Sequence, residues 1–198
     1  GLTAEDVELT DLIVAESKRI VALLDQVEQF GNLRPPKREV VNVHDLLDRA
    51  RRSAAVGFAA DMRIVEDYDP SLPPTFVDAD QILQVFANLM RNASEAAGTS
   101  GGTIRLRSFF DRSLRVRRKD GTGNALPLQI EIIDDGPGLP PEIASDIFDP
   151  FVSGRENGTG LGLAIVKHIV ERHRGRLDIT SELGQGTTFT ARIPALSK

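Results

Sequence analysis

The chain is predicted to be α+β: a two-layer α/β sandwich whose mixed, mostly antiparallel sheet is covered on one face by helices, preceded by an N-terminal helix. Three observations carry this. Strand-like segments fall in neighbouring pairs, with helical segments between the groups. The helical segments have apolar residues at three- and four-residue steps. Glycine and proline clusters separate the segments.

From about Thr3 to Phe30, Leu9, Leu12, Ile13, Ile20, Leu23, Leu24, Val27 and Phe30 recur at helical spacing, with charges between them. Thr3 with Asp6 three residues on is a variant of the helix-start box. Gly31 and the Pro35-Pro36 pair stop the helix. Such a helix cannot bury its own stripe and needs a packing partner. The linker lies within Gly31–Lys37, dividing the chain into 1–33, a linker at 34–37, and 38–198. Arg38–Val43 then reads as a short strand, His44–Ala60 as an amphipathic helix and Arg63–Tyr68 as a strand. Pro70, Pro73 and Pro74 mark a loop. Asp80–Ala97 is the strongest helix. Thr103–Phe110 and Leu128–Ile133 are strands flanking a polar loop. Leu161–Arg172 is a helix, and Arg176–Ser181 with Thr187–Ile193 forms a terminal pair joined through Gly184 and Gly186.

Composition narrows the function classes. With 198 residues, 40% hydrophobic and 27% charged, the chain is ordinary globular protein. Its net charge of -5 gives no whole-chain pull toward nucleic acid. It has no cysteine, which excludes disulfide scaffolds and thiolate metal sites and is compatible with a reducing, cytoplasmic setting. No apolar run approaches the roughly 18 residues of a membrane span, so no membrane contact is expected. The chain opens directly on a polar helix pattern rather than a signal peptide, as a piece of a longer protein would.

Three segments carry candidate chemistry. In Asp80–Ala97, Ile82, Val85, Phe86, Leu89, Met90, Ala93, Ala96 and Ala97 form a broad face for burial. Gln81, Gln84, Asn88, Asn92 and Glu95 lie opposite. Asn88 and Asn92 are four apart, roughly 6 Å on one helix face. Asparagine is a mediocre helix former, so the pair calls for a reason. An amide oxygen is a hard, neutral ligand suited to Mg²⁺; on this helix alone, two solvated amides are the plainer reading. Next, the apolar strand Leu128–Ile133 runs into Asp134-Asp135-Gly136-Pro137-Gly138. A carboxylate at a buried strand end faces a cleft. It can accept from the exocyclic amine of adenine and would repel the carbonyl of guanine. Gly136 and Gly138 would let backbone approach a flat base; an ordinary acidic turn is the equal alternative. Asp134 fits the Asp-x-Gly-x-Gly spacing, with Asp135 on the solvent side. Third, Gly158-Thr159-Gly160-Leu161-Gly162-Leu163 leads into a helix. It exposes successive N–H groups beside a helix N-terminus, an anion cradle. It lacks the Gly-Lys-[Ser/Thr] ending of a P-loop and the third glycine of a dinucleotide fingerprint. Upstream, Phe148 and Phe151 flank a proline turn and are expected in plain core packing. Arg155 is either a phosphate contact or a solvated charge.

In order, Asn88-x-x-x-Asn92, Asp134-x-Gly136-x-Gly138, Phe148-x-x-Phe151, Gly158-x-Gly160-x-Gly162 and Gly184-x-Gly186-Thr187 resemble the N, G1, F, G2 and G3 boxes of the ATP-binding domain of bacterial sensor histidine kinases. The likeness covers about residues 38–194. The Phe-x-Pro-Phe to Gly-Thr-Gly-Leu-Gly-Leu spacing and the long basic loop resemble the nitrogen-regulation group. The resemblance implies ATP and Mg²⁺ as cofactors, with Asn92 on the metal and Asn88 assisting near the phosphates. It implies that Asp134 reads adenine, that Gly138 and Ile147 line the base pocket, and that Gly158 to Leu163 cover the phosphates. Thr187 would support the adenine water network, and Arg155 would replace the lid lysine common in that group. Glu95 stands where many members carry a basic residue. The first helix resembles the second helix of a dimerisation and phosphotransfer hairpin. The implied partners are ATP or ADP, that hairpin in a homodimer, and a response-regulator receiver domain.

Relatives that hydrolyse ATP place a glutamate four residues before the metal asparagine. Here that position is Asn88, which cannot act as a general base. This favours transfer to an imidazole over an ATP-hydrolysing clamp, while a nucleotide-binding regulatory module without transfer stays open. His44, His168 and His173 lie outside the His-Glu-x-x-Asn context of a phosphoacceptor and are expected to be structural. Arg112, Arg115, Arg117, Arg118 and Lys119 make a basic loop tip within Asp111–Pro127, either solvated or a dock for an acidic partner.

Overall fold

The computed structural model describes residues 3–31, 34–98, 101–111, 115–117, 123–154 and 158–196. Two compact units emerge, residues 1–34 and 35–198. The first holds α1 (Ala4–Gly31). Its start is the reciprocal box expected from sequence: Thr3 N donates to Asp6 Oδ2 at 2.8 Å, and Asp6 N donates to Thr3 Oγ1 at 3.2 Å. Leu9, Leu12, Ile13, Ile20, Leu24 and Val27 are exposed along this helix.

The second unit is an α+β sandwich. Its order is β1 (Glu39–Val41), α2 (Val43–Val56), β2 (Met62–Tyr68), β3 (Thr75–Val77), α3 (Ala79–Ala97) and β4 (Gly102–Phe110). There follow β5 (Arg115–Arg117), β6 (Gly123–Ala125), β7 (Leu128–Asp134), α4 (Pro141–Ala144), α5 (Gly162–Arg172), β8 (Arg176–Glu182) and β9 (Gly186–Ile193). The main sheet runs β2-β4-β7-β9-β8. Only β2 and β4 are parallel, because α3 is the crossover between them; the other pairs are antiparallel. β1 pairs with β3 and β5 with β6 in two small ribbons.

Side-chain alternation sorts the two faces. Ile104 and Leu106 of β4, Ile130 and Ile132 of β7 and Phe189 and Ala191 of β9 are buried on the face covered by helices. Leu46 and Leu47 of α2, Val85, Phe86, Leu89 and Met90 of α3 and Ile165, Val166 and Ile169 of α5 are buried too, with α3 against β4 and β7 and packed between α2 and α5. The opposite face is polar: Arg107 pairs with Asp67 at 3.1 Å and with Glu131 at 3.2 Å, and Arg192 pairs with Asp178. The Arg107–Asp67 pair is exposed and adds little stability, whereas Arg192–Asp178 is half-buried.

Two expectations are corrected. Gln81, assigned to the polar side of its helix, is buried. It sits in the first turn, where its N–H donates to the N-cap carboxylate of Asp78 at 3.1 Å and the turn is folded into the body. β3 and the single turn α4 lie where only loop was expected, since three or four residues hold too little periodicity to register.

Asp78 is also a junction. Its Oδ2 accepts from Lys37 N at 2.7 Å, and its own N–H donates to His173 Nε2 at 3.0 Å. Because Nε2 accepts, the proton sits on Nδ1, which donates to Ile169 O at 2.8 Å. Burial, first of all, holds His173 below its ordinary value, and Arg38 and Arg172 add to this against Asp78 and the Ile169 bond. A second proton would also confront the Asp78 N–H. The folded state therefore resists protonation that the unfolded chain accepts. Stability is complete above the unfolded value of 6.5 and falls as pH drops below it toward the depressed folded value, by up to about 1.4 kcal/mol per pH unit. Urea unfolding at pH 7.5 and 5.5 checks this: the wild type should lose more stability between the two than His173→Asn does.

Candidate functional site

The end of the sheet where β7 finishes and β9 begins, beside α3, gathers several of the residues singled out in the sequence. β7 delivers Asp134, 3% exposed, opposite Thr187 of β9 and Ile104 of β4. The Asp134 Oδ1 accepts from Gly136 N at 3.0 Å and from Thr187 N at 3.2 Å. Two main-chain donors on one oxygen fix the carboxylate plane, and a carboxylate has acceptor capacity beyond those two bonds. Asp135 is exposed, as expected, and its Oδ1 accepts from Thr103 N at 2.8 Å.

The glycine turn is close-packed. Gly138 has φ 72, and a Cβ there would meet the Glu182 backbone oxygen at 2.2 Å, so no other residue fits. Gly184 N donates to Pro137 O at 2.8 Å, and Leu139 N donates to Ser181 Oγ at 2.8 Å. The β8–β9 hairpin thus grips the turn from one side. On the other side is α3: a Cβ on Gly136 would lie 3.1 Å from Ala96 Cβ. Ala96 is one helical turn beyond Asn92, so the asparagine pair adjoins the turn of Asp134. Asn88 and Asn92 are both half-buried, neither solvated nor in the core.

The segment after the turn returns to it. Ile147 is buried, and Gly154 lies against Leu139 and Ile143. Phe148 is half-buried and meets Phe189 edge-on, ring centroids 6.4 Å apart. Phe151 departs from the core packing expected of it. It is 70% exposed, with φ 67, a left-handed conformation unusual for a bulky side chain. Its N–H donates to Gly160 O at 3.1 Å. This one bond ties the two ends of the intervening segment. Arg155 lies outside the described residues.

Gly158, Thr159 and Gly160 precede α5. Leu161 is buried at its N-cap and contributes its side chain to the core, while Gly162 and Leu163 in the first turn are half-buried. No side-chain hydrogen bond caps α5, so its first N–H groups suit an anion. The histidines are elsewhere. His44 Nε2 bonds Ser108 Oγ at 2.8 Å and its ring stacks on Tyr68; burial holds it below its ordinary value. His173 is the buried bridge to Asp78, and His168 is exposed on α5. Of the basic loop tip, Arg112, Arg118 and Lys119 lie outside the described residues, and only the backbone of Arg115 and Arg117, in β5, is described.

Ser181 was missed by sequence reasoning. A lone serine in an edge strand carries no signal; only the register opposite Thr187 brings it to the site.

Residues 77–197 match the family described as histidine kinase-, DNA gyrase B- and HSP90-like ATPase. The sensory histidine kinase/phosphatase NtrB of Rhodobacter capsulatus is 64% identical over 198 residues, all of this chain and 55% of that protein. Full-length ShkA in complex with AMPPNP matches with a TM-score of 0.75 and 24% identity, over 98% of this chain and 40% of that one. Histidine kinase ThkA in complex with the response regulator protein TrrA matches with a TM-score of 0.74 and 22% identity, over 98% and 53%. At these identities the two structures speak for the fold. The chain spans about half the length of the curated relatives it matches. By the fold and by a family match covering more than half its length, the chain belongs to the histidine kinase-, DNA gyrase B- and HSP90-like ATPases, with sensor histidine kinases among its relatives.

Proposed function

We propose that residues 38–198 are the Mg-ATP-binding catalytic core of a two-component sensor histidine kinase of the nitrogen-regulation type. The core transfers the γ-phosphoryl group of ATP to a histidine on a dimerisation hairpin, for relay to a response-regulator receiver domain. The observation that carries this is the buried carboxylate of Asp134, fastened by two main-chain N–H groups at a sheet end that α3 adjoins. Asp134 accepts from the adenine amine, and Gly138 and Ile147 line the base. Gly136 allows the close approach, and Thr187 supports the water beside it. Gly158, Thr159, Gly160, Leu161, Gly162 and Leu163 present N–H groups to the phosphates, with Arg155 adding charge.

The amide oxygens of the half-buried Asn88 and Asn92 are hard, neutral ligands of the kind that fits Mg²⁺, which is held by few protein ligands and retains water. Asn92 would hold the ion and Asn88 assist; when bound, it neutralises phosphate charge. The acceptor imidazole attacks the γ-phosphorus, the bond to the bridging oxygen breaks, and ADP leaves. The protein's part is positioning. Residues 1–33 supply the second hairpin helix, whose exposed apolar stripe on α1 suits pairing in a cytoplasmic homodimer. The NtrB and ThkA relatives support the kinase and receiver assignments.

Mixing the chain with an acceptor hairpin and radiolabelled ATP tests this. Label on histidine is expected; release of phosphate alone would instead mark a hydrolase, and neither outcome a regulatory module. Asn92→Ala should abolish the Mg²⁺ dependence of ATP affinity in calorimetry while leaving the metal-free affinity within about twofold, because it removes a ligand and no base contact.

A further inference from the structure

Ser181, Thr187 and Asp134 form one row across three neighbouring strands: Ser181 of β8 is in register with Thr187 of β9, and Thr187 with Asp134 of β7. The Ser181 hydroxyl has three partners in reach. Leu139 N donates to it at 2.8 Å, Gly186 O lies at 3.1 Å, and Thr187 Oγ1 lies at 2.9 Å. A hydroxyl has one proton and two lone pairs. Leu139 N–H takes one lone pair, so two arrangements remain. In one, Ser181 donates to Gly186 O and accepts from Thr187, whose hydroxyl then offers only lone pairs to its surroundings. In the other, Ser181 donates to Thr187, and the Thr187 proton is turned away as a donor. The same oxygen holds the residue that follows Gly138, so the turn and the hydroxyl polarity share one anchor.

We propose that Ser181 is a positioning residue of the purine pocket: it pins the Gly136–Leu139 turn and sets whether Thr187 donates or accepts beside Asp134. A base or bound water that presents an acceptor selects the donating arrangement; one that presents a donor selects the other. The proposal rests on the reading of Asp134 as the adenine contact.

Calorimetry of the full chain with Mg-ATP tests it, alongside thermal melting. Ser181→Ala should weaken ATP binding about three- to tenfold. Ser181→Thr, which keeps the hydroxyl, should restore affinity to within about twofold. If Ser181→Ala does not fold, Ser181→Cys, close in volume but a weak donor and acceptor, is read in its place. Thr187→Val should also weaken binding. The Ser181→Ala, Thr187→Val double variant should bind no more weakly than the weaker single one, because the two act as a unit. Additive losses, or a lowered melting temperature with unchanged ATP affinity, would overturn the proposal. Asp134→Asn separates the two levels. If it leaves ATP affinity intact, the adenine reading fails and this proposal with it. If it removes binding while Ser181→Ala does not, only the role of Ser181 fails.

Discussion

Asp134→Asn should weaken ATP binding about 100-fold and barely move the melting temperature. The buried Oδ1 accepts from Gly136 N and Thr187 N. An asparagine keeps those bonds by placing its carbonyl oxygen there, which turns its NH₂ toward the base. On the proposed reading of Asp134 as the adenine contact, that donor meets the amine donor of adenine, and losing a bond to a charged acceptor costs about 1.5–3 kcal/mol before any repulsion. The opposite amide flip would set NH₂ against two buried N–H groups, so the fold enforces the unfavourable choice for adenine. For a purine with a carbonyl at the same position, the new donor is welcome. Preference between ATP and GTP should therefore narrow or invert. Calorimetry with both nucleotides checks this, and an unchanged ATP affinity would refute the base contact.

Gly186→Ala should be the most damaging single-methyl change at the site. Gly186 has φ 102, and its Cβ would lie 2.0 Å from the Asp134 backbone oxygen. Both the backbone conformation and the clash are unfavourable, and backbone cannot give way as a flexible side chain does. A loss of about 2–4 kcal/mol is expected, lowering the melting temperature by about 10 °C. The displacement acts where β7 and β9 bring Asp134 beside Thr187, so ATP affinity should fall with it. Gly162→Ala is the contrast. Nothing lies within 4 Å of a Cβ there and the residue is in α5, so stability should hold or rise slightly. Equal melting temperatures for the two variants would contradict this account.

What could be read from sequence follows from how much chain each feature spans. α3 and β7 were legible because long periodic segments average out local noise, and the asparagine pair and Asp134 ride on them. The G-rich turns were legible because glycine is required where backbone approaches backbone. β3, α4 and the burial of Gln81 were not, since each depends on a few residues meeting distant ones. Phe151 shows the limit most plainly. Hydrophobicity argued for burial, but its left-handed backbone and its bond to Gly160 hold it outward. Ser181 is meaningful only through strand register, which no local pattern encodes.

The donors that orient Asp134 differ in when they arrive. Gly136 N is two residues away, but Thr187 N lies 53 residues further along the chain. A nascent polypeptide emerging from the ribosome therefore carries half of this arrangement long before the remainder is translated. β7 can pair with β4 early, yet its other edge stays bare until β9 has been made. Competence to hold nucleotide is accordingly a property that joins distant parts of the body, acquired only once β9 has been made.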